Sequence, residues 1–150
     1  MSRVAITDIE DALIARLREA VPSANTVKAY RGDKSFDAIV KTLSAMPAIF
    51  TMYFGSKSEP LGSNRRTELM SFVLLVAASS FGMADQDGKT GAEAQVYTLL
   101  EEIMLALDGY ELVAGGFPII FQGQEPADRD QQTVVFAAEY TVKQAYFAVN

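Results

Sequence analysis

Hydrophobic positions recur at two different spacings along this chain, and the changes of spacing mark where its elements begin and end. Near the start Ile9, Leu13, Leu17 and Val21 recur every four residues. That places them on one face of a helix, which Pro22 then stops. Thr7-Asp8-Ile9-Glu10 has the form of a capping box, in which the Thr hydroxyl bonds a free amide and Glu10 reaches back. VKAY, residues 27–30, reads as a short edge strand. Arg31-Gly32-Asp33-Lys34 then turns into a second, short helix with Phe36, Ile39, Val40 and Leu43 on one side. The Arg-Gly-Asp triplet there is a chance match to an adhesion motif, placed in a turn.

PAIFTMYF, residues 47–54, is rich in aromatic and β-branched residues and reads as a buried strand. GSKSEPLGSNRR, residues 55–66, reads as a long polar connection, and ELMSFVLLVAA, residues 68–78, is apolar on both faces, as a central strand is. The two strands and their connection suggest a hairpin with an unusually long loop. Long loops in compact domains tend to be functional or disordered. Lys57, Arg65 and Arg66 on this loop are therefore the first candidates for contact with a partner.

Ala92, Val96, Leu99, Leu100, Ile103 and Leu107 form a single helical stripe, with Thr90 and Glu93 as a second capping box and Gly109 at the expected C-terminal cap. Gly115-Gly116 turns the chain into FPIIF, residues 117–121, and EPADRD, residues 125–130, reads as a polar tip. In the final segment Val134, Phe136, Ala138, Tyr140, Val142 and Tyr146 alternate with Thr133, Val135, Glu139, Thr141 and Lys143. Period two over this length predicts a long half-buried strand with a bulge or a protruding end. Hairpin-like pairs without regular βα alternation indicate one α+β domain, an antiparallel or mixed sheet with helices packed on one face.

Composition narrows the chemistry. The chain has 150 residues, 49% of them apolar, which is enough to bury a core. Its apolar runs are too short to span a bilayer, and no secretion signal is evident, so synthesis inside the cell and no membrane partner are expected. With neither Cys nor His, disulfides, thiolate chemistry and the commonest general base and metal ligand are unavailable. A net charge of −6 argues against general or sequence-specific binding of nucleic acid. The charge is uneven: residues 1–66 carry ten Lys/Arg and seven Asp/Glu (+3), while residues 67–150 carry three and twelve (−9). Halves of opposite sign complement each other within the domain or between copies, unless the charges are simply scattered over a solvated surface.

The stretch FGMADQDGKTGAEAQ, residues 81–95, raises the question of a phosphate loop. A Walker-type loop needs four residues between its first Gly and the Gly-Lys-Thr; here Met83 through Asp87 make five. Asp85 and Asp87 would also place negative charge inside an anion cradle. A calcium loop with Gly88 at its sixth place has Met83 at the first and Ala94 at the twelfth, where oxygen ligands belong. The segment reads as a turn and a helix start. Glu101-Glu102 do not converge as an acid–base pair, Ser79-Ser80 have no base nearby, and the aromatic residues fit a core better than a base-stacking platform. No catalytic residue, cofactor or metal site is expected, and the chain does not read as an enzyme.

With these elements placed, the chain resembles the tail-terminator family of tailed bacteriophages, particularly the small proteins of Mu-like phages and prophages. The resemblance spans nearly the whole length: the helix ITDIEDALIARLREA, then VKAY-RG and PAIFTMYF, a polar loop, and RRTELMSFVLLVAASS. GAEAQVYTLLEEIMLAL, DGYELVAGG and the strand pair FPIIFQGQ and QTVVFAAEYTVKQAYF complete it. The order of elements carries the likeness, and no catalytic signature takes part. It implies a virion protein, made in the host cytoplasm, that forms a ring of its own copies, six-membered by analogy. Such a ring sits on the head-proximal end of the tail tube, stops its growth, and offers a surface to the neck or head connector and, in contractile tails, to the sheath.

Residue patterns suit such a role. A ring needs one surface to meet a different surface on the next copy, and opposite charge provides for that. The long loop and the end of the last strand, from Lys143 onward, are the segments expected to reach out, and Tyr146 and Phe147 fall on opposite faces there. An acid surplus also suits a lumen through which DNA slides. The rival classes are a small-molecule-binding α+β domain of a prophage or bacterial accessory protein, for which Thr51 and Ser71 are the only modest buried polar candidates, and a hydrolase or transferase, for which no nucleophile–base–orienter set is found.

Overall fold

The alternating runs become long strands, and the four-residue repeats become the helices that cover them. The computed structural model describes residues 2–30, 46–79, 91–113, 116–129 and 133–148. Along the chain these form α1 (Ile6–Ala20), β1 (Thr26–Ala29), β2 (Ala48–Pro60), β3 (Arg65–Ser79), α2 (Gly91–Leu107), β4 (Ile120–Arg129) and β5 (Thr133–Phe147). The strands make a five-stranded sheet in the order β1-β2-β3-β5-β4. β1 runs parallel to β2, and every other pairing is antiparallel, so the α+β sheet is mixed.

β3 and β5 pair from Arg65 opposite Phe147 to Ser79 opposite Thr133. Alternation then sorts their side chains. Met70, Phe72, Leu74, Val76 and Ala78 of β3 join Ala138, Tyr140 and Val142 of β5 on the face that carries the helices. Against it α1 buries Ile9, Leu13 and Leu17, followed by Val21, and α2 buries Val96, Leu99, Leu100, Ile103 and Leu107. Each such side chain contributes about 1.5–3 kcal/mol by leaving water. On the opposite face Ala48, Phe50, Val73, Leu75, Ala77 and Val135 form a second, smaller apolar cluster.

Several local expectations change. α1 begins at Ile6 with Ala5 as its N-cap and no side-chain capping bond, so the Thr7 box does not form and Thr7 lies inside the helix. The first intrahelical bond runs from Ile9 N to the carbonyl of the N-cap, Ala5 O, at 3.1 Å. Gly109 does cap the end of α2, at φ +82°, the left-handed conformation that glycine adopts without strain. FPIIF joins the sheet only from Ile120, and most of the expected polar tip is strand: β4 runs through Pro126 to Arg129. Proline is tolerated there because β4 is an edge strand, and the register slips between Pro126 and Asp128. The expected second helix (Phe36 to Leu43), the Thr90 cap, the 81–90 loop and Gly115 lie outside the described residues.

Candidate functional site

The largest departure from the sequence reading is at residues 55–66. They do not form a long loop. β2 continues to Pro60, β3 starts at Arg65, and only residues 61–64 turn. A polar stretch with Gly and Pro looks like a connection, but the cross-strand ladder runs on from Gly55 opposite Ser71 to Pro60 opposite Arg66. The end of β5 adds a third strand, and Ala148 N closes the seam by donating to Asn64 O at 2.6 Å. The result is a three-stranded arm. From Gly55 to Pro60 it extends about 17 Å at the usual strand rise, with residues 56–66 exposed throughout.

Every contact residue expected from the sequence falls on this arm. Lys57 opposes Leu69, which opposes Lys143 on its other side, so two cations flank one leucine across three strands. Arg65 opposes Phe147, with its guanidinium 5.9 Å from the ring centroid, and Arg66 opposes Tyr146. Alternation puts the Lys57, Leu69, Lys143, Arg65 and Phe147 side chains on the face away from the helices, and Arg66 and Tyr146 on the helix side. Phe147 is 53% exposed and Tyr146 half-buried, so the pair splits between faces as expected. Lys57 and Arg66 have no ion-pair partner among the described residues.

A polar clamp fixes the root of the arm. Glu68 faces the helix side of β3 and is only 5% exposed. Its carboxylate accepts from Arg3 Nε at 2.8 Å and Nη2 at 3.1 Å, from Ser56 Oγ at 2.8 Å, and from Gln144 Nε2 at 3.2 Å. Gln144 in turn bonds both backbone groups of Val4, accepting from its N at 2.8 Å and donating to its O at 3.1 Å. The residues before α1 are thereby stitched across β2, β3 and β5. Hydrogen bonds from Arg3 hold the Glu68 carboxyl below its ordinary value, although burial works against the charge, and Ser56 and Gln144 help. The sequence reading missed this clamp. Its signal was Glu68 at the head of an apolar run and Gln144 at an inward position of the alternating one, two polar residues where burial demands apolar ones.

At its base the arm bends. The register shifts between Tyr53 and Gly55, with Gly55 at φ +106° and Phe54 left 65% exposed. This bulge marks the edge of a groove of about 690 Å³ on the sheet face away from the helices. Met52, Val73, Leu75 and Ala137 floor it, and Glu125 and Glu139 stand along one side. Neither glutamate has an ion-pair partner among the described residues.

Among the described residues no group of three or more His, Cys, Asp or Glu is placed to hold a metal ion, and no helix is long and apolar enough to cross a membrane. Ser71 lines the groove, whereas Thr51 does not, its Oγ1 being buried without a hydrogen-bond partner. Glu102 accepts from Ser23 Oγ at 2.6 Å, and Tyr97 stands edge-on to Phe136 with ring centroids 5.8 Å apart.

No curated protein matches the chain in a sequence search. The family model described as "Bacteriophage Mu, Gp37" matches residues 5–145, from the start of α1 to the far end of the arm. The chain therefore belongs to the bacteriophage Mu Gp37 family.

Proposed function

We propose that the chain is a structural protein of the phage tail that caps the head-proximal end of the tail tube. In this reading copies form a ring, six-membered by analogy with tail terminators, that stops tube polymerisation and offers the joining surface to the head or neck. It acts by fitting against proteins, with no bond made or broken and no cofactor.

Membership of a phage Mu family supports the phage context. The observation that carries the finer reading is the arm. A stiff three-stranded projection presenting Lys57, Arg65, Arg66 and Lys143 beside an exposed Leu69 and Phe147 is built to meet another protein. A floppy loop would lose entropy on docking that the hydrogen-bonded arm has already lost on folding. The arm also carries cations into a chain whose net charge is −6, so like copies have somewhere unlike to meet.

The test removes the tip, residues 57–64, from the chain in an otherwise intact phage or prophage. Overlong tails, or tails without heads, support the reading. Particles of normal length with heads attached would take the arm out of the mechanism.

A further inference from the structure

We infer that the arm of one copy seats in the groove of the next, with the Lys57–Leu69–Lys143 row lying over the floor beside Glu125 and Glu139. This deepens the ring reading above and rests on it for its setting. The two surfaces match in chemistry and in order. Across the arm the sequence of side chains is cation, leucine, cation, because Lys57 pairs with Leu69 and Leu69 with Lys143. At about 4.8 Å per strand the two lysine Cα atoms lie about 10 Å apart. In the groove Val73 pairs with Glu139, and Leu75 pairs with Ala137, which pairs with Glu125. Apolar floor therefore passes into acidic rim within one or two strand spacings.

Leu69 is 42% exposed, a large aliphatic side chain left in water between two charges. In the groove it would meet Met52, Val73 and Leu75 while the lysines meet the two glutamates. Lys57 and Glu139 border one hollow on this face without forming an ion pair in their own copy. Within it Lys143 lies 5.0 Å from the centroid of the Phe117 ring, and Lys57 has no ion-pair partner among the described residues. Each copy gives its arm to one neighbour and its groove to the other, which makes the contact heterologous, the type that propagates around a ring.

The chain contains no cysteine, which makes the test direct. Lys57→Cys and Glu139→Cys are introduced singly into separate copies of the full chain, and the two variants are mixed, both as purified protein and co-produced in assembling particles. A disulfide-linked dimer that needs both variants, and that neither forms alone, is expected. Charge reversal gives a second readout in purified protein and particles alike. Lys57→Glu or Glu139→Lys should each weaken association between copies by about tenfold or more, and the two together should restore most of it, since like charges repel and exchanged charges attract.

Dimers from Lys57→Cys alone would mean symmetric arm-to-arm packing and overturn the inference. So would no dimer from the mixture in either setting, capture of the Lys57→Cys variant by a different virion protein, or reversals that add without rescue. Failure here is separable from failure of the capping role. Copies that cross-link as expected, together with tails that keep their length when the chain is deleted, would sink the capping reading and leave this contact standing.

Discussion

Arg3 and Glu68 meet in an ion pair of 2.8 Å although 65 positions separate them, and their contact ties the residues before α1 to the root of the arm. Glu68 is nearly buried, and burying a carboxylate without partners costs far more than the pair gains in water. Arg3→Ala leaves that carboxylate with only Ser56 and Gln144. It should destabilise the fold by about 1–3 kcal/mol, read as a lower urea midpoint. Faster amide exchange in residues 56–70, with little change in α2, would place the loss in the arm.

Acid should act through the same carboxylate. Its folded value lies below the ordinary 4.5, chiefly because Arg3 donates to it. The clamp therefore contributes fully above that value and is lost as pH falls through the lowered folded one. Urea midpoints measured from pH 7 down to pH 3 should drop more steeply in the natural chain than in Glu68→Gln, which cannot titrate at that position. Parallel curves would show that other carboxyls dominate the acid response.

Thr51 offers a gain. Its Oγ1 is buried on the helix side of β2 with no hydrogen-bond partner, and a valine has nearly the same shape. Replacing an unsatisfied buried hydroxyl with a methyl removes a desolvation penalty. Thr51→Val should raise stability by about 1 kcal/mol in equilibrium unfolding. A loss instead would mean that the hydroxyl is satisfied in solution.

Gly55 sets the bend from which the arm leaves the sheet. A Cβ there would meet nothing within 4 Å, so the cost of a side chain is backbone strain alone at φ +106°. Gly55→Ala should cost about 1–2 kcal/mol and disturb Phe54 and the arm before the helices. Gly123 is the control: its φ is not positive, and a Cβ there also meets nothing, so Gly123→Ala should be nearly neutral.

Much of this was legible in the residues. Helical spacing located α1 and α2, an apolar run located β3, period two located β5, and Gly109 marked the end of α2 because few residues other than glycine take its backbone angles. Cations near Gly and Pro suggested a projecting segment, and all the candidate contact residues lie on the arm. The nature of that projection was not legible. Gly and Pro lower strand propensity locally, yet pairing with Arg66–Ser71 of β3, itself held by β5, overrides it. The same override hid the strand through Pro126. The groove was invisible for a different reason: Met52, Val73, Ala137 and Glu139 come from three strands, and only their register makes them neighbours. Thr7 misled because a capping pattern one residue inside a helix looks the same as one at its start.

The central claim is positional, so the most direct measurement is where the chain sits. Gold-labelled antibody against an epitope tag at residue 2, viewed on whole particles and on isolated tails by electron microscopy, reads that position. Label confined to the tail end that joins the head is the expected result. Label along the tail, at the far end, or on no particle at all would contradict the account.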